Sequence, residues 1–196
     1  MVQTVGFQER KPLRLKGYDY SIEGLYFVTI CVQNRIHLFG NVVVGADQRA
    51  VWLSAGWALV RTVLRGWRGV GPKIALNSVG EMIQSWWEKI PGRFANIGLD
   101  PFVIMPNHIH GIIAIQGRTH GSAPTLARMI QWFKTMTTND YIRGVRQHRW
   151  APFAGTLWQR SYYEHIVRNE DDLNQIRQYI LDNHAKWEQD SENVHP

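Results

Sequence analysis

Met105-Pro106-Asn107-His108-Ile109-His110-Gly111-Ile112-Ile113 is the stretch whose reading decides the fold. Leu99 to Met105 and His108 to Gln116 read as two strands, and Pro106-Asn107 between them supplies a turn, because proline cannot donate to a sheet ladder. Successive strand side chains point to opposite faces. His108 and His110 therefore project the same way while Ile109 packs underneath. Two imidazoles side by side on one face of a sheet can each give a nitrogen to one divalent cation. The spacing alone is weak: 8 His in 196 residues yield roughly 0.3 such pairs by chance, so the pair needs its context.

Working outward, Leu25 to Val32 is rich in β-branched and aromatic residues and reads as a buried strand, and Arg35 to Val44 as a second after a turn at Gln33-Asn34. From Ala46 to Lys73 the pattern degrades. Trp57, Val60, Leu64 and Trp67 allow a short helix, but Gly66, Gly69, Gly71 and Pro72 break it up, so the segment reads as an insertion over 46–72. Ser78 and Glu81 form a capping box, and Val79, Met82, Ile83, Trp86, Trp87 and Ile90 share one helical face that Pro91-Gly92 ends. A further helix starts at Thr125, with Leu126, Met129, Ile130 and Phe133 inward, and Gly144 to Gly155 reads as an irregular basic loop. Trp158 to Val167 contains a strand. Asn169 caps the last helix, whose buried stripe is Leu173, Ile176 and Ile180, with Trp187 extending it. Strands, helix, strands, helix, strand, helix is the order of an α+β sandwich: a mostly antiparallel central sheet with helices packed on it.

Composition narrows the function classes. A chain of 196 residues, 44% hydrophobic and 19% charged, suits one globular domain; the expected limits are 14–190, with flexible tails at 1–13 and 191–196. The single cysteine, Cys31, permits no disulfide framework. The first residues lack the apolar core of a signal peptide, and no run is long enough to span a membrane. A soluble, cytoplasmic protein is expected. The net charge of +6 suits a nucleic-acid partner, and its distribution says more. Between Ala123 and Arg168 seven basic residues, among them Arg128, Lys134, Arg160 and Arg168, stand against the acidic Asp140 and Glu164. A second basic cluster, Arg10-Lys11 with Arg14 and Lys16, precedes the first strand. Trp158-Gln159-Arg160 could line a DNA groove, with Arg160 on a phosphate. His165 and Arg168 are further phosphate contacts to weigh against strand packing and surface charge, and His120 falls in a loop.

On the last helix Tyr179 and Asn183 are four apart and lie one above the other. Either alone reads as an ordinary boundary residue. With the histidines they make chemical sense: two imidazoles and an amide oxygen give three ligands, leaving positions for a phosphate oxygen and water, and the cation would act as a Lewis acid. A tyrosine one turn from the third ligand would place its oxygen to attack that phosphorus, once the phenol is deprotonated or activated. Three ligands including an oxygen favour Mg²⁺ or Mn²⁺ over structural zinc. Tyr162 and Tyr163 are rival nucleophiles, in a strand where alternation would bury one and expose the other.

Four segments resemble the REP-associated tyrosine transposases, a branch of the single-tyrosine HUH transposases. They are Arg14-Leu15-Lys16-Gly17-Tyr18-Asp19-Tyr20-Ser21, Phe102 to Gly111 (FVIMPNHIHG), Leu157 to His165 (LWQRSYYEH) and Ile176 to Asn183 (IRQYILDN). The resemblance spans about residues 14–44 and 73–188. It implies a ferredoxin-like HUH fold, and cleavage of single-stranded DNA near a repetitive extragenic palindrome that folds into a hairpin. It also implies that His108, His110 and Asn183 hold the metal and that Tyr179 forms a 5′-phosphotyrosine link. Two departures stand out. His184 follows Asn183 where relatives commonly have proline, and the 46–72 segment is longer than the family norm.

Three function classes follow. The first is a metal-dependent nickase and strand transferase acting on hairpin-forming single-stranded DNA, as monomer or homodimer, associated with the nucleoid. The second is a hairpin-DNA-binding protein that retains the fold without using the site. The third is a metal protein acting on some other phosphodiester.

Overall fold

The computed structural model describes residues 17–47, 70–117, 125–190 and 193. The core is a four-stranded antiparallel sheet in the order β4-β5-β1-β6, built from β1 (Gly24–Cys31), β4 (Ile97–Ile104), β5 (His108–Ile115) and β6 (Tyr163–Ile166). β5 lies between two strands and is buried almost throughout, so its sequence runs apolar without alternation. β4 is an edge strand, which is why it tolerates Pro101: the register slips between Leu99 and Phe102 at that point. A two-stranded sheet, β2 (Gly40–Asp47) with β3 (Val70–Leu76), stands beside it.

Helices cover the central sheet on both faces. On one, α1 (Ser78–Glu88) and α3 (Leu126–His148) bury Ile83, Trp87, Met129, Ile130 and Phe133 against Tyr26, Val28, Ile30, Ile109 and Ile113. A single turn, α2 (Ile90–Arg93), follows α1. On the other, α4 (Glu170–Asp182) packs Leu173 and Ile180 against Phe27, Val103 and Ile112. The alternation of β1, with Tyr26, Val28 and Ile30 one way and Phe27 and Thr29 the other, separates the two cores. A 3-10 segment, Asn183–Gln189, continues α4 and carries the buried Trp187. Among the described residues no helix is long and apolar enough to cross a membrane.

The α+β architecture with its antiparallel sheet agrees with the sequence reading, and four local expectations are corrected. Residues 70–76 form β3, where Gly71 and Pro72 suggested breaks; in a two-stranded sheet both strands are edges, so a missing donor costs little. The expected second strand over 35–44 begins only at Gly40, after a 3-10 turn at Gln33–Arg35. The cap of α1 is Asn77, not Ser78: its Oδ1 accepts from the backbone N–H of Val79 and Gly80 at 3.0 Å each. The Gly144–Gly155 loop starts late, because α3 runs through Gly144 to His148. Gly144 lies under Trp150, whose ring would stand 2.1 Å from an added Cβ, so the glycine serves packing rather than a turn. The helix allowed around Trp57 to Trp67, His120, and basic residues Arg10, Lys11, Arg14 and Lys16 fall outside the described residues.

Candidate active site

Antiparallel pairing sets Cys31 against His108 and Thr29 against His110, with Val103 on the far side of His110. Both imidazoles therefore project from the α4 face of the sheet, as the spacing predicts. Their Nε2 atoms are 2.9 Å apart. Each ring is held through its other nitrogen. Asn107 Nδ2 donates to the Arg35 carbonyl at 2.8 Å, which turns Asn107 Oδ1 toward His108. His108 Nδ1–H donates to that oxygen at 2.8 Å, leaving Nε2 as a lone pair. His110 Nδ1 is hydrogen-bonded to the Thr29 hydroxyl, also at 2.8 Å. Neither Asn107 nor Thr29 was legible as an orienting residue; only the strand register brings Thr29 beside His110.

Burial makes both rings neutral. His108 is fully buried and His110 3% exposed. Desolvation holds the His108 pKa well below the ordinary imidazole value, with the neighbouring His110 and Arg35 adding to the effect. The same cause pushes His110 down to about 3. Two neutral imidazoles with nitrogens converging on one point are the form in which histidine binds metal.

α4 brings the remaining residues. Tyr179 Oη lies 3.2 Å from His110 Nε2, and its ring packs against those of His110 (5.1 Å) and Phe27 (6.0 Å). One turn further, Asn183 is 2% exposed, and its Oδ1 is a buried acceptor with no hydrogen-bond donor among the described residues. An orphaned amide oxygen is costly unless something fills it, so it fits a cation ligand. The helix is held in place by Arg177, which grips Asp100 of β4 with Nε–Oδ1 at 2.9 Å and Nη2–Oδ2 at 2.5 Å.

Asp190 is a member that sequence reasoning missed. It follows the 3-10 segment, its side chain is 6% exposed, and Oδ2 stands 3.7 Å from His108 Nε2. One ligand atom each from His108, His110 and Asp190 lie within 4.8 Å of one another. Trp187 covers His108 with its ring at 6.0 Å. No motif in the sequence signals Asp190, whose position depends on the path of the chain after α4.

Of the expected DNA contacts, Arg14 and Lys16 lie outside the described residues. Arg128, Arg160 and Arg168 are exposed. Lys134 is partly spoken for: Nζ donates to the carbonyls of Gln159 (2.8 Å) and Ser161 (3.0 Å), tying α3 to the segment before β6. Arg160, Lys134, Gln131 and Trp158 line a cavity of about 700 Å³ on the α3 side of the sheet, away from the histidines. His165 is bonded to Asp172, Nε2 to Oδ2 at 2.9 Å. As alternation predicts, Tyr162 is buried (9%) and Tyr163 exposed (50%).

His108 and His110 on the central strand β5 and Tyr179 on α4 thus form one cluster on a single face of the sheet. The family model for IS200-like transposases matches residues 75–183, and the chain belongs to that family. An uncharacterized protein of Haemophilus influenzae is 34% identical over 197 residues, covering 95% of this chain and 94% of that protein. Among solved structures, a REP-associated tyrosine transposase bound to a REP hairpin is similar, with 16% identity and a TM-score of 0.50 over 89% of this chain and 73% of that one. A putative transposase from Deinococcus radiodurans is 16% identical with a TM-score of 0.40, over 88% of this chain and 98% of that one.

Proposed function

We propose that this chain is a metal-dependent single-stranded DNA endonuclease and strand transferase that acts beside hairpin-forming palindromes through a 5′-phosphotyrosine intermediate. The observation that carries the reading is the convergence of Tyr179 Oη and both histidine Nε2 atoms on one buried point. In this reading the Tyr179 oxygen attacks a backbone phosphorus, forming an O–P bond as the bond to the 3′ oxygen breaks. The products are a free 3′ hydroxyl and a strand joined to the protein by its 5′ phosphate. Attack by a 3′ hydroxyl on that linkage reverses the exchange and joins strands.

His108, His110 and Asn183 would hold the cation, and Asp190 is placed to supply a carboxylate. Two imidazole nitrogens combined with oxygen donors would suit Mg²⁺ or Mn²⁺ better than structural zinc, which prefers four closed N/S ligands. When bound, the metal supplies Lewis acidity at the attacked phosphate. The protein's own part is to hold His108 in the ligating tautomer through Asn107, to orient His110 through Thr29, and to fix the phenol beside them.

Exposed Arg128, Arg160 and Arg168, with Lys134, Arg14 and Lys16, would bind the phosphates of the same DNA. One domain over 14–190 carries these functions in this reading, interrupted at 46–72, and works on nucleoid DNA in the cytoplasm. The test compares hairpin with a flanking single strand, unstructured strand, and perfect duplex of the same sequence at one salt concentration. The expected result is preferential cutting of the hairpin substrate, with binding that weakens steeply as salt rises. Equal or faster cutting of duplex overturns the reading.

A further inference from the structure

Tyr163 is an exposed aromatic ring that neither the fold nor the cleavage step explains. It sits on β6, the edge strand, paired with Thr29, and therefore points to the same face of the sheet as His110. At 50% it is the most exposed of the large hydrophobic side chains among the described residues. Its edge rests on Phe27, ring centroids 6.4 Å apart. Phe27 also carries the Tyr179 ring at 6.0 Å and stacks with His110 at 5.5 Å. The exposed ring and the proposed nucleophile thus stand on one shared floor residue. His165, on the same face of β6 two residues along, is engaged with Asp172 of α4.

We infer that Tyr163 is a stacking platform for the unpaired base of a nucleotide next to the phosphate that Tyr179 attacks. The inference rests on the single-strand reading above and adds the group that holds the strand in register. Cleavage in line requires a fixed nucleotide, and phosphate contacts alone allow the backbone to slide. An aromatic face binds any base, because every base offers a π surface. This face of the sheet has the required parts: Phe27 in contact with both tyrosine rings, a half-exposed Tyr163 ring on the edge strand, and Tyr179 presented by α4. Tyr163 contributes its ring and not its hydroxyl, so phenylalanine should replace it.

The test uses the full-length protein with chelator present, so that binding is read without cutting. Single-stranded oligonucleotides carry 2-aminopurine, one position at a time, across the nick site. Wild type and Tyr163→Phe should quench fluorescence at one position flanking the nick, and Tyr163→Ala should not. Tyr163→Ala should weaken binding roughly 5- to 150-fold, equivalent to the ~1–3 kcal/mol of one stacked base. An abasic nucleotide at that position should weaken wild type equally and the alanine variant no further. With metal restored, Tyr163→Phe should form the covalent adduct as wild type does, and Tyr163→Ala should form it more slowly at a given DNA concentration. Unchanged quenching and affinity in Tyr163→Ala, or additive losses, overturn the platform while leaving the nickase intact. Loss of the adduct in Tyr163→Phe overturns it by making Tyr163 the nucleophile. Wild-type protein that binds no single strand overturns the functional reading and this inference together.

Discussion

The Tyr179 hydroxyl meets Nε2 of His110 at 3.2 Å, joining residues 69 positions apart in sequence. Nothing local creates that contact. It needs β5 in the middle of the sheet, α4 laid across the face that the histidines share, and Arg177 clamped to Asp100 to set the helix against β4. Tyr179 is thereby placed by the same packing that buries Leu173 and Ile180.

Tyr179→Phe removes one oxygen from a ring that is 41% exposed. Stability should fall by no more than about 1 kcal/mol, the value of one hydrogen bond, while covalent attachment disappears. A 3′-labelled strand downstream of the nick should stay on wild-type protein through denaturing electrophoresis and leave the variant. Mapping of the adduct by mass spectrometry to Tyr162 or Tyr163 would refute the assignment.

His108→Ala and His110→Ala should each abolish cleavage while hairpin binding stays within a few-fold, taking that as about 1 kcal/mol. Excess chelator should do the same to wild type, with Mg²⁺ or Mn²⁺ restoring activity. The orienting residues should matter less steeply. Asn107→Ala and Thr29→Val are expected to weaken metal binding about 10- to 100-fold, as loss of outer-sphere partners does. Cleavage that survives in chelator would remove the metal from the mechanism.

Asn183→Ala and Asp190→Asn separate the two oxygen donors. Mn²⁺ titration followed by electron paramagnetic resonance should show weaker binding in both. Asp190→Asn keeps shape and loses charge, so its effect should shrink as ionic strength rises if Asp190 acts only at a distance. A loss that is independent of salt marks direct ligation.

The buried histidines make stability depend on pH in the metal-free protein. The folded state resists protonating His108 and His110, while the unfolded chain takes up protons near the ordinary value of 6.5. Stability is therefore full above that value and falls as pH drops below it, down toward about 3, where His110 titrates in the folded state. Urea midpoints in chelator should decline between pH 7 and pH 5, above the range where most carboxylates titrate. His110→Gln should flatten the decline, and a flat wild-type curve over that window contradicts the account.

Gly111 follows the second histidine and faces Trp87, whose Cζ2 would lie 2.5 Å from an added Cβ. Gly111→Ala should cost about 1–3 kcal/mol through overpacking on the α1 side of the sheet. Thermal unfolding reads the cost directly. A neutral result would mean that Trp87 moves aside freely.

Much of this site was legible because its residues carry their geometry in sequence spacing. His108 and His110 share a face through the strand period, and Tyr179 and Asn183 share one through the helix period. Asn169 announced the start of α4 and does accept from Asp172 N–H, at 2.9 Å. What stayed hidden depends on tertiary path. Thr29 reaches His110 only through strand pairing, and Asp190 reaches His108 only because a 3-10 segment redirects the chain. β3 was hidden differently: Gly71-Pro72 argues against a strand unless that strand is an edge, and edge status is a property of the assembled sheet.

The Arg177–Asp100 clamp has a genetic consequence. It fastens the helix that bears Tyr179 to the sheet that bears His108 and His110 of the same chain, so the proposed site is assembled within one copy. Two defective alleles, His108→Ala and Tyr179→Phe, should therefore fail to complement each other when co-expressed, whatever the copies do in pairs. A recovery of cutting in the mixture would mean that α4 crosses from one molecule to the other, and that the clamp forms between chains.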